Sequence, residues 1–161
     1  MSQVTKQLYA VLANSAALAL KLQNYHWNVE GRHFKQLHEL FGEQYEEVSE
    51  AIDAIAERIR ALGEKVPASF TQYQKANKMT DAVETLDENA MAKDACESHV
   101  KLVAVLKKAL EAAQKDGDEV SADMMIGRMA AHDKAAWMLR SSLPDAMRGA
   151  KGKDKGKLKL A

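Results

Sequence analysis

Proline is almost missing from these 161 residues: there are two, Pro67 and Pro144, and only eight glycines. With no β-branched clusters either, the chain has little of what sheets and tight turns need, and an all-helical protein is expected. A single cysteine, Cys96, excludes an internal disulfide and fits a reducing compartment, so a cytoplasmic location is expected. No secretory leader is evident, because Asn14, Ser15 and Lys21 interrupt the first apolar stretch. No apolar run approaches the length of a membrane span. Net charge is also lacking, with 23 basic and 23 acidic residues, but these are unevenly spread. The length suits one domain with a substantial core.

What is present is helical periodicity. A first helix is expected from about Val4 to Val29, with Leu8, Leu12, Ser15, Ala19 and Leu22 facing inward and His26 one turn further along that stripe. Gly31 marks a turn, and Glu30 and His33 read as loop. The second helix, Phe34 to Leu62, carries Phe34, Leu37, Phe41, Tyr45, Val48, Ile52, Ile55, Ile59 and Leu62 at three-four spacing. Gly63 is placed to end it as a C-cap. Residues 64 to 84 form a long connection, with a short helix expected over Ser69 to Ala76. A connection of that length indicates a crossover, as in ferritin-like bundles. A third helix follows over Asp87 to Lys115, a turn at Asp116-Gly117-Asp118, and a fourth helix over Glu119 to Ser142. His99 and His132 fall on inward stripes and read as hydrogen-bonded core residues; the methionines of the fourth helix read as packing.

Four side chains are candidate metal ligands: His26, His38, Asp53 and Glu57. Asp53 and Glu57 are four apart, so both carboxylates leave one helix face. His38 precedes Asp53 by fifteen residues, roughly 22 Å along a helix at ~1.5 Å per residue. No ion spans that distance. If the four form one site, the carboxylates must come from a second, antiparallel copy of the chain. At ~100° per residue Asp53 and Glu57 lie about 60° and 100° round from His38, on a flank beside the core. The alternative is a solvated face, with both carboxylates paired to Arg58 or Arg60 and His26 a core residue.

Beyond Pro144 the composition changes. From Arg148 to Ala161 six basic residues, Arg148, Lys151, Lys153, Lys155, Lys157 and Lys159, stand against Asp154, a net +5 that leaves −5 on residues 1–147. Such a segment has no apolar face to bury, so a body of residues 1–147 and a flexible lysine-rich tail of 148–161 are expected. A tethered cluster of lysines suits nucleic-acid phosphates without reading sequence. The alternative is a solubilising tail without a partner.

His26-Trp27-Asn28-Val29-x-Gly31, then Phe34, Leu37-His38-x-x-Phe41 and Asp53-x-x-Ala56-Glu57-Arg58 resemble the signature of the Dps family, the DNA-protecting mini-ferritins of starved bacteria. The resemblance implies an all-α, ferritin-like four-helix bundle with a long crossover containing a short helix, assembled as a hollow homododecamer. It implies a ferroxidase: His26 and His38 of one subunit would face Asp53 and Glu57 of its neighbour. Iron(II) would be oxidised there, preferably by hydrogen peroxide rather than dioxygen, and the iron(III) stored as mineral. It also implies Asp118 and Asp123 at a three-fold pore, although both equally suit the N-terminal end of a helix dipole. Non-specific DNA and a nucleoid-associated place in the cytoplasm follow from the same likeness. One position departs from the pattern. The family usually has an acid four residues after the second histidine, where this chain has Gly42. A weaker metal site is expected, with the glycine offset by close subunit approach or room for water. The second reading is a DNA-compacting protein with an impaired iron site.

Overall fold

The computed structural model describes residues 1–148, and the lysines of the basic tail, Lys151, Lys153, Lys155, Lys157 and Lys159, lie outside them. All regular structure among the described residues is helical: α1 (Gln3–Asn28), α2 (Phe34–Ala61), α3 (Phe70–Ala76), α4 (Glu88–Asp116) and α5 (Glu119–Ser142), then a 3₁₀ turn at Asp145–Met147. Caps set these boundaries. Ser2, Ser69, Asp87 and Asp118 each accept a backbone N–H from the first turn of the helix they precede. Gly117 closes α4 at φ 72°, and Gly63, at φ 88°, follows α2.

Two helix pairs, α1/α2 and α4/α5, form the bundle, joined chiefly where α1 packs on α4. The connection from α2 to α4 runs outside, with α3 lying against α1. This is the crossover topology of a ferritin-like bundle. Leu8, Leu12, Leu22, Phe41, Ile55, Ile59, Met91, Leu102, Leu106 and Leu139 are buried at the centre.

One sequence expectation requires correction: Phe34 is 47 % exposed and stands outside the core stripe. Lys21 does interrupt the apolar stretch, yet it is only 2 % exposed. Its Nζ donates to Asp94 Oδ2 (2.7 Å), Ser98 Oγ (3.1 Å) and Thr80 Oγ1 (3.2 Å), and Tyr25 donates to the same Asp94 oxygen (2.8 Å). A charge can be buried there because every ammonium proton finds an oxygen. Asn14 is likewise buried, accepting the Lys78 backbone N–H at 3.0 Å. The polar residues of α1 thus tie the crossover and α4 to its flank.

Candidate metal centre

The last turn of α1 and the second turn of α2 lie side by side because only residues 29–33 separate the two helices. The carbonyls in the last turn of a helix lack intrahelical partners, and His26 lies in that turn. Its oxygen accepts a hydrogen bond from His38 Nδ1 at 2.7 Å. The return bond is its mirror: His26 Nδ1 donates to the His38 carbonyl, also at 2.7 Å. A carbonyl only accepts, so both Nδ1 atoms carry a proton, and in the neutral tautomer this selects each Nε2 keeps its lone pair. Histidines that hold metals are generally fixed in this way, with the second nitrogen donating to a carbonyl or carboxylate.

The two rings stack, 3.8 Å between centroids with 22° between planes. Planes so nearly parallel meet far from either ring, whereas a metal sits ~2.0–2.1 Å from an imidazole nitrogen and in its plane. One ion cannot satisfy both lone pairs. The two imidazoles could therefore serve only separate ions. Tyr45 meets His26 edge-on at 5.6 Å, and Phe34 lies 5.2 Å from His38, where its exposed ring shields that imidazole.

Gly42 belongs to this arrangement. It is buried on α2, and a Cβ built there would lie 3.0 Å from His26 Nδ1 and 3.1 Å from its Cε1. Within the subunit, the space opened by the glycine is taken up by the chain's own His26 ring.

Asp53 and Glu57 are exposed on the far half of α2. They line an open groove with Ser49, Ile52, Ala56, Arg60, Lys65, Val66 and Tyr73. Arg58, a possible partner of Glu57 from sequence, instead donates to Asp118 Oδ1 (2.6 Å) and Ser121 Oγ (2.9 Å). No three metal-binding side chains converge among the described residues. One chain thus carries a prepared pair of imidazoles at one end of α2 and two exposed carboxylates at the other.

The remaining sequence candidates are placed as follows. Asp118 caps α5 and pairs with Arg58; against the upward effect of burial, the Ser121 hydrogen bonds and then the Arg58 guanidinium hold its carboxyl below the usual range. Its second oxygen is buried without a partner, and Asp123 is exposed. Arg148, grouped with the tail by sequence, is tied to the body through Asp145 (2.7 Å) and the Leu143 carbonyl (2.8 Å). One polar cluster was only half legible. His99 and His132 are buried, with Nδ1 atoms 2.9 Å apart. They form one directed chain. Arg128 donates to His132 Nε2 (3.1 Å), His132 Nδ1 to His99 Nδ1, His99 Nε2 to Gln44 Oε1 (3.2 Å), and Gln44 Nε2 to the Ala135 carbonyl (3.4 Å). The inward histidines were visible from spacing; Gln44, Arg128 and the Glu47 carboxylate that pairs with Arg128 were not.

A model of the ferritin-like domain matches residues 5–148. DNA protection during starvation protein 2 of Bacillus anthracis is 36 % identical over 141 residues, 88 % of this chain and 97 % of that protein. The crystal structure of Dps from Staphylococcus aureus superposes with a TM-score of 0.84 at 34 % identity, covering 88 % of this chain and 95 % of that one. That of a Dps protein from Vibrio cholerae, described as a member of a broad superfamily of ferritin-like diiron-carboxylate proteins, gives 0.82 at 29 % identity, over 86 % and 87 % of the two chains. No helix among the described residues is long and apolar enough to cross a membrane.

Proposed function

The chain belongs to the Dps branch of the ferritin-like family, and from that premise we propose that it is a ferroxidase and iron-storage protein whose centre lies between two copies. The observation that carries this reading is the reciprocal imidazole pair, whose Nδ1–carbonyl bonds leave both Nε2 atoms available to bind metal. His26 and His38 of one subunit supply nitrogen donors, and Asp53 and Glu57 of a second supply oxygen donors. That mixed set suits iron(II) and leaves positions open for an oxidant. Ions ~3.5–4 Å apart are close enough to act together. Each gives one electron to the O–O bond of hydrogen peroxide, and both oxygens leave as water once two protons are taken up. Paired delivery avoids the one-electron cleavage that releases hydroxyl radical. Gly42 leaves the histidine half without a carboxylate, so turnover should be slower than at a centre that has one. Iron(III) then collects as mineral inside a homododecameric cage, with Asp123 and, less freely, Asp118 along its entry route.

Anaerobic addition of iron(II) followed by peroxide, read by iron(III) absorbance, tests this. Oxidation faster than the protein-free control, at near two iron per peroxide, is the expected result. A rate equal to the control sinks the reading.

DNA is the second partner. The body carries net negative charge, so the basic tail is the means of holding phosphates. Removing residues 149–161 should abolish the DNA mobility shift and leave the assembly intact; an unchanged shift removes the tail from the proposal. If the tail binds DNA while iron oxidation stays at background, the protein is chiefly a DNA-compacting, nucleoid-associated one.

A further inference from the structure

The turn between α1 and α2 decides where the imidazole pair sits, and one carboxylate from another helix holds that turn. Glu88 is the first residue of α4. Its Oε2 accepts the backbone N–H of His33 at 2.8 Å, and its Oε1 accepts from His33 Nδ1 at 2.9 Å. His33 is the N-cap of α2, yet its own side chain makes no capping bond. Glu88 thus reaches from α4 to satisfy a donor at the start of α2. One carboxylate stands at the N-terminal ends of two helices, where both dipoles favour negative charge. The hydrogen bonds and charge of His33 hold the Glu88 carboxyl below the usual range, in spite of the opposing effect of burial.

Gly31 shows how closely the fit is made. It sits at φ 137°, and a Cβ built there would lie 2.7 Å from the Glu88 carboxyl carbon and closer still to Oε2. Any other residue would force the carboxylate out. Elsewhere α2 packs on α1 and scarcely touches α4, so this contact is one of few ties between them. The tie leads directly to the metal-binding side. His33 fixes the first turn of α2, Phe34 of that turn lies against the His38 ring, and His38 completes the reciprocal bonds with His26.

We propose that Glu88, through His33, is a positioning residue for the iron-binding imidazoles: it sets the pose that the hairpin presents to a second copy's carboxylates. This rests on the ferroxidase reading above. Glu88 touches no metal, so its loss should act on affinity before it acts on chemistry. Groups one step behind a metal ligand typically matter by 10–100-fold in affinity. With a half-exposed His33 in the link, the lower end is expected for Glu88→Ala.

The experiment compares the assembled wild-type protein with Glu88→Gln and Glu88→Ala. Cobalt(II) absorption titration gives affinity, and peroxide-driven iron(II) oxidation gives half-saturation and maximal rate separately. Glu88→Ala should bind about tenfold more weakly and raise half-saturating iron in proportion, with little change in maximal rate. Glu88→Gln keeps an acceptor for the His33 N–H and should fall between. Wild-type affinity in both variants overturns the proposal, as does a loss in proportion to any drop in thermal midpoint, which would mark a merely structural contact. Absence of cobalt binding by the wild type overturns the ferroxidase reading itself, and the role of Glu88 falls with it.

Discussion

Mixing a His38→Ala chain with an Asp53→Ala chain is expected to restore iron oxidation that neither shows alone. Along α2 the two donors are fifteen residues apart, roughly 22 Å at ~1.5 Å per residue, and no fold-back brings them together within a subunit. In a two-fold pair each interface repeats itself, so two copies build two equivalent donor sets. A pair with one chain of each kind has one set with both ligands lost and one fully intact. Random one-to-one reassembly makes about half the pairs mixed, so activity should return to about one quarter of wild type. Each variant alone should stay at background. Denaturation, mixing and refolding, with native mass spectrometry to verify mixed assemblies, makes the measurement. Mixed cages with no recovery would end the intersubunit reading.

The sequence carried this much because helices transmit position arithmetically. Three-four spacing and caps gave every helix to within about two residues, and the turn read at Gly31 is the one across which the His26 and His38 rings meet. What stayed hidden depends on partners far along the chain. Lys21 looks like a surface interruption until Asp94, Ser98 and Thr80 surround it. Glu88 lies 55 residues beyond His33, and no local pattern links them. Phe34 falls on the apolar stripe by angle, but it is the first residue of α2, where it rests on the His38 ring and stays half-exposed. Gly42 shows the limit most clearly. Spacing reveals a missing carboxylate, whereas only coordinates reveal that an imidazole fills the gap. The carboxylate half of the proposed site is legible as two exposed acids and no more, since the proposal puts its counterpart in another molecule.

The second large effect is loss of stability in mild acid. His99 and His132 occupy the bundle interior as neutral rings, and their hydrogen bonds use every nitrogen in one direction. An added proton on His99 would go to Nδ1, the atom that accepts from His132, so protonation breaks the link as well as burying a charge. Burial dominates, and for His132 the neighbouring His99 and Arg128 add to it, holding its imidazole well below the ordinary range. His99 is pushed down to about 4, chiefly by burial, with Arg128 opposing the charge and Glu47 favouring it. From an unfolded value near 6.5, the unfolded chain binds more protons than the folded one between those two pH values, so stability falls as pH drops through that window. The shift on His99 alone corresponds to roughly 3 kcal/mol per subunit once pH 4 is reached, at 1.36 kcal/mol per unit. Glu88 and Asp118, whose carboxyls are held low, add a second loss that begins in the ordinary carboxylate range, at the acid end of this window, and continues below it. Denaturant unfolding at a series of pH values should show stability declining from about 6.5 to 4. A His99→Phe/His132→Leu double variant, less stable at pH 7 for the partners it strands, should be nearly flat across the same range. An equal slope in both proteins would assign the acid sensitivity to other groups.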